Sequence, residues 1–154
     1  MRRFAQVSRL LGDGDNTEAN PGTFENVEVT AATLTSAHLA PGTGQVCISI
    51  KAACVNYPDL LQTVGGYQHK PTLPFIPGGE AAGVVSRVGP GVDGIAVGDR
   101  VACSGAGMIS SVVLARADSC WVLPRHYSFA EGASFGTGYR CVPHPLTHIV
   151  RRAI

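Results

Sequence analysis

With 154 residues, 45% of them hydrophobic and 15% charged, the chain is long enough for one domain with a sizeable core and too apolar for a disordered segment. Twelve basic against eleven acidic residues leave a formal charge of +1, which removes the electrostatic case for nucleic acid or an anionic membrane as partner, and the apolar runs are too short to span a bilayer. Five cysteines without a Cys-x-x-Cys pair argue against a disulfide framework or a zinc knuckle and point to a reducing, cytoplasmic setting.

In chain order, the basic start Met1-Arg2-Arg3-Phe4 reads as the approach to a first strand over residues 3–7 in preference to a targeting peptide. Residues 12–23, rich in Gly, Asp, Asn and Pro, form a loop, and residues 24–30 can make a strand. Pro41-Gly42-Thr43-Gly44 is a turn. Residues 45–53 alternate, with Val46, Ile48, Ile50 and Ala52 on one face and Cys47, Ser49 and Lys51 on the other, the pattern of a half-buried strand. Cys47 and Cys54 sit in apolar surroundings and read as small buried hydrophobes. Asn56-Tyr57-Pro58-Asp59 starts a short helix through Leu60, Leu61 and Val64, ended by Gly65-Gly66-Tyr67.

The run from Leu73 to Val85 carries the most information. Pro74 and Pro77 make residues 73–77 a rigid extended approach, and Gly78-Gly79 permits a turn that a Cβ would obstruct. Glu80 follows at once, ahead of Ala81, Ala82, Gly83, Val84 and Val85, a buried strand with room for close backbone approach. A carboxylate in such a run needs partners. It either holds the turn through hydrogen bonds or stands at the floor of a cleft. Beyond it, residues 88–92 form a turn, and Gly98-Asp99 turns tightly into a strand over residues 100–103. Residues 111–116 and 120–123 are further strands, and Ser128-Phe129-Ala130-Glu131 is a capping box opening a second helix. Many short strands, frequent turns and two short helices predict a mainly β, small barrel-like domain.

Asn56-x-x-Asp59, Gly66-Tyr67, Pro74-x-x-Pro77-Gly78-x-Glu80-x-x-Gly83-x-Val85, Val88-Gly89 and Gly98-Asp99-Arg100-Val101 together resemble the N-terminal domain of the medium-chain dehydrogenase/reductases. Within that superfamily they are similar to the zinc-free quinone oxidoreductases related to zeta-crystallin, over about residues 3–140. The resemblance implies a GroES-like, partly open β-barrel over about residues 25–125, a docking helix from about Ser128, and residues 1–140 as one domain. It implies Asn56, Tyr67 and Asp59 as candidate catalytic residues, with Asn56 and Tyr67 also lining the nicotinamide. Gly78, Glu80, Gly83, Gly98 and Asp99 take structural roles in it. The expected substrates are small quinones or enones, and relatives are often homo-oligomers. Zinc-dependent relatives carry Cys near Asn56 and His just before the motif Glu; Asn56 and Gly79 stand there instead, so no zinc is expected.

Full-length relatives add a Rossmann domain that binds NADPH. No Gly-x-Gly-x-x-Gly opens a βαβ unit here: Gly105-Ala106-Gly107 lacks the third glycine, and Gly136-Thr137-Gly138 runs into the last residues. NADPH is therefore not expected to bind tightly to these 154 residues, and they are expected to be inactive alone. Relatives continue past Gly138 with a helix that Pro143 and Pro145 forbid. Residues 141–154 are thus expected to be an atypical, poorly packed tail, either divergent or frame-shifted near Arg140. The Pro145 between His144 and His148 argues against a helical metal pair. The other class of function left open is a non-catalytic remnant or a GroES-like binding module without redox activity.

Overall fold

A computed structural model of the chain describes residues 2–7, 27–32 and 38–136, the first two stretches as backbone. Strands β1 (Arg2–Val7) and β2 (Val27–Ala32) pair antiparallel with Phe4 opposite Thr30. The body of the fold is a five-stranded antiparallel sheet of β3 (Gln45–Cys54), β4 (Glu80–Val88), β5 (Arg100–Ser104), β6 (Val112–Arg116) and β7 (Cys120–Val122). Its order is β6-β3-β4-β5-β7, so it does not close, and β6 and β7 are its edges. Helix α1 (Tyr57–Thr63) follows β3, and α2 (Phe129–Ala133) follows β7. The elements fall where alternation, glycine turns and capping residues place them. The expected loop over 12–23, residues 24–26 of the second strand and the whole tail over 141–154 lie outside the described residues.

The sheet buries both faces. Val46, Ile48, Ala81, Val85, Val101, Cys103, Met108, Val113, Ala115 and Cys120 form the larger core. On the opposite face α2 lays Ala133 and Phe129 over Ala52, Ala82, Ala102 and Leu123. One local expectation changes. Val46, Cys47 and Ile48 are all at most 1% exposed, so the start of β3 is not half-buried. β3 lies between β6 and β4, paired on both sides, and Cys47 is buried, as its apolar neighbours suggested, although alternation assigns it the outer face. Lys51 and Ala53, at the other end of the strand, are exposed.

Two glycines set the geometry of β4. A Cβ on Gly83 would press into the Ser49 carbonyl and lie 2.9 Å from Ile48 Cγ2, so only glycine lets β4 meet β3 where their register shifts. Gly78 has φ +108°, and a Cβ there would lie 2.6 Å from the Ile109 nitrogen. That crowding comes from a second chain segment laid along the Pro77–Gly79 backbone. Ile109 N–H donates to Pro77 O (3.0 Å), Met108 N–H to Gly78 O (3.2 Å) and Gly105 N–H to Gly79 O (3.0 Å). The Leu73–Pro74 peptide just before it is cis. At the other end of β4, Gly98 N–H donates to Val85 O (2.8 Å), and the Asp99 carboxylate accepts from Ala96 N–H (2.8 Å), closing the turn into β5.

Candidate active site

The end of β3, the start of α1 and the start of β4 converge. Cys54 is the cross-strand partner of Glu80, and Ser104 on β5 is Glu80's partner on the other side. Side-chain alternation puts Glu80 on the face that α2 covers, two residues from Ala82. Glu80 is 1% exposed. Its Oε1 accepts from Asn56 Nδ2 at 2.7 Å, across 24 residues of chain. The backbone of Gly136 lies against its Oε2, where a Cβ would come within 2.6 Å. The buried carboxylate therefore has the hydrogen-bonded setting its desolvation requires.

Asn56 is the N-cap of α1, with Pro58 in the first turn. Its backbone N–H donates to Asp59 Oδ2 at 2.7 Å. Asp59, 6% exposed, turns its other oxygen to the Gly78 N–H at 3.1 Å. One carboxylate thus ties the helix start to the Gly78 turn. The Asn56 amide is half-buried: one hydrogen goes to Glu80, while Oδ1 takes the Cys54 thiol at 3.8 Å and faces the Asp59 N–H in a loose capping box. Its second hydrogen and Oδ1 remain able to bind a donor or acceptor outside the protein.

Of the residues singled out in the sequence, the structure joins Asn56, Asp59, Gly78 and Glu80 in one network. Tyr67 is half-buried in the bend after α1, and no hydrogen bond links it to that network among the described residues. Gly83 lies in the body of β4, and Gly98 and Asp99 lie at its far end; all three shape the strand and not this cluster.

Three neighbours were not singled out as site residues. Cys54 is half-buried, not enclosed, and its pKa is raised by burial first and then by the charges of Glu80 and Asp59, which disfavours a thiolate beside them. Tyr57, flanking Asn56, is 70% exposed, and Val55 on the other side is 62% exposed. Apolar side chains on either side of a polar residue at a strand-to-helix junction were the available signal. Among the described residues no group of three or more His, Cys, Asp and Glu is arranged to hold a metal ion.

The profile of the alcohol dehydrogenase GroES-like domain matches residues 42–143, which contain the whole cluster. The chain belongs to that family. Its GroES-like unit is 39% identical over 110 residues to a quinone oxidoreductase-like protein 2 homolog of Nematostella vectensis, a match covering 67% of this chain and 30% of the relative. It is 34% identical over 114 residues to the quinone oxidoreductase of Rattus norvegicus, covering 73% of this chain and 35% of the relative. Among solved structures, the Escherichia coli quinone oxidoreductase complexed with NADPH superposes with a TM-score of 0.68 at 28% identity, covering 86% of this chain and 36% of that one. The GroES-like chain therefore spans about a third of the length of the quinone oxidoreductases it matches.

The donor set fits one end of a nicotinamide dinucleotide. A half-buried amide with an available oxygen and N–H suits a carboxamide or a ribose hydroxyl. No glycine-rich turn opens a helix fit to cradle a pyrophosphate among the described residues, whose two α-helices have seven and five residues.

Proposed function

We propose that this GroES-like unit, read as residues 1–140, supplies the substrate side of an NADPH-dependent quinone or enone oxidoreductase. The observation that carries the reading is the Asn56 amide, fixed by the buried Glu80 and keeping a second hydrogen, and an oxygen with room for a further partner, at the junction of β3 and α1. Bound NADPH would supply the hydride. Asn56 holds a ribose hydroxyl, the carboxamide or the acceptor carbonyl, and Glu80 fixes which way its amide faces. Tyr67 offers a ring face to a planar acceptor and a hydroxyl to its oxygen. Asp59 acts through Asn56 and Gly78 as a positioning residue, since both its oxygens are committed to their N–H groups. No zinc takes part in this reading, because neither the Asn56 amide nor Gly79 suits a catalytic zinc site.

The reading also makes the 154 residues inactive alone, because hydride transfer depends on holding donor and acceptor together in fixed orientation. The test is a chimera in which this unit replaces the GroES-like part of the Escherichia coli quinone oxidoreductase. The chimera should oxidise NADPH with a small quinone, while the 154-residue chain should not exceed background. Asn56→Ala in the chimera should lower kcat/KM by about tenfold or more, and Tyr67→Phe by less, on the scale of lost positioning contacts. A folded, NADPH-binding chimera without turnover, or Asn56→Ala at full rate, would defeat the proposal.

A further inference from the structure

Cys103 on β5 and Cys120 on β7 face each other across the last pair of strands. The neighbouring rungs fix the kind of pair. Leu123 N–H donates to Arg100 O at 2.7 Å, so Arg100 and Leu123 form a hydrogen-bonded pair. Hydrogen-bonded and non-hydrogen-bonded pairs alternate along an antiparallel ladder, and three rungs further on Cys103 and Cys120 are a non-hydrogen-bonded pair. Such pairs bring Cα atoms to about 4.5 Å with the side chains close together. A disulfide spans Cα separations of roughly 4.4–6.8 Å. Both side chains enter the same core, at 2% and 9% exposure. Both are reduced: the Cys103 thiol donates to Ala81 O (3.5 Å) and the Cys120 thiol to Arg116 O (3.2 Å).

β7 is three residues long and forms a sheet edge, the place where a ladder opens most easily. We propose that Cys103 and Cys120 are a latent dithiol, which small-molecule disulfides such as oxidised glutathione close into a reversible cross-strand disulfide when β7 opens. Cys120 is the entry point, being the more exposed and at the edge. Its thiolate attacks one sulfur of the small disulfide, expels one small thiolate and forms a mixed disulfide. The Cys103 thiolate then attacks the Cys120 sulfur, expels the second small thiolate and leaves the Cys103–Cys120 bond. Two protein thiols are oxidised, one small disulfide is reduced to two thiols, and the protons lost by the protein end on them.

Burial governs the rate. It pushes Cys103 up to about 12, with the nearby Cys120 adding to the rise, and pushes Cys120 up to about 11, with Asp118 adding to it. Thiolate is scarce while the edge is closed, so exchange waits on opening. The bond would enclose residues 104–119 and fasten β7 to β5, whose Cys103 lies opposite Ala81, next to Glu80 on β4. This use of the fold is independent of the proposed oxidoreductase activity.

The test is incubation of the folded 154-residue chain with oxidised glutathione, followed by acid quench, alkylation and peptide mass mapping. The expected product joins the Cys103 and Cys120 peptides with loss of two hydrogens, and dithiothreitol reverses it. Trp121, the only tryptophan of the chain, should report the closure as a fluorescence change. Cys54→Ala should leave the linked peptide unchanged, and Cys120→Ala should abolish it. If Cys120→Ala does not fold, the wild-type map decides alone. Cys103 and Cys120 still alkylatable once Cys54 is fully glutathionylated, or linked to other cysteines instead of each other, would overturn the proposal.

Discussion

The two helices begin with the same device and use it differently. At α2, Ser128 and Glu131 close a capping box on themselves. Ser128 Oγ accepts from Glu131 N–H at 3.2 Å, and Glu131 Oε2 accepts from both the Ser128 N–H and its hydroxyl at 2.7 Å, all in exposed surroundings. At α1, Asp59 still reaches back to the Asn56 N–H, but the reciprocal arm from the Asn56 side chain is too loose to count as a hydrogen bond. Its amide goes to Glu80 and the second Asp59 oxygen to Gly78. A motif that serves only the local helix at α2 is loosened at α1 and wired into the buried end of β4. The difference shows where the fold spends a capping residue on a site.

The largest effect should come from cutting that wiring. Asp59→Ala leaves the Asn56 and Gly78 N–H groups without their acceptor, and at roughly 1–3 kcal/mol per orphaned buried donor it should lower stability by about 3 kcal/mol. Urea unfolding measures it. A loss no greater than that of Ser128→Ala would mean the two boxes are equivalent after all.

Asn56→Asp sets a second carboxylate where Nδ2 now donates to Glu80. The loss should be about 2 kcal/mol at pH 7, as expected for like charges brought together in a partly buried site. Repulsion raises the carboxyl pKa in the folded state. Folding therefore keeps its full stability below the ordinary carboxylate range, and loses it as pH rises through the raised value. The deficit against wild type should shrink between pH 7 and pH 5 in the same urea titration, and a deficit independent of pH would remove charge as its cause.

Ser128→Ala should cost about 1 kcal/mol, the usual loss for an N-cap side chain. The same unfolding assay shows it, and β3 and β4 amides that exchange only through global unfolding lose protection by the same amount. The smallest effect is a pH dependence at α2. The Ser128 hydroxyl and N–H hold the Glu131 carboxyl below its ordinary value of 4.5. The cap's contribution is thus present above that value and fades as pH falls through the lowered one. Protection factors of the α2 amides, taken against the intrinsic exchange rate at each pH, should fall between pH 5 and pH 3 before the sheet unfolds.

The local chemistry of the chain determined where its elements begin and end. Alternation placed β3, glycine and proline bounded β4, and Asn56 and Ser128 marked both helix starts, because each signal acts over a few neighbouring residues. The resemblance carried in residues 56–101 pointed to the GroES-like fold and to Asn56 and Glu80. Only the tertiary structure decided what those residues touch. That Asn56 reaches Glu80 and Asp59 reaches Gly78 depends on β4 lying beside β3 in one register, and a strand's register is set by its partners. Cys103 and Cys120 meet because β5 and β7 pair as neighbours, and the alternation of rungs makes theirs a close pair. Side-chain period is written along the chain; strand order and register come into being only when distant segments pack.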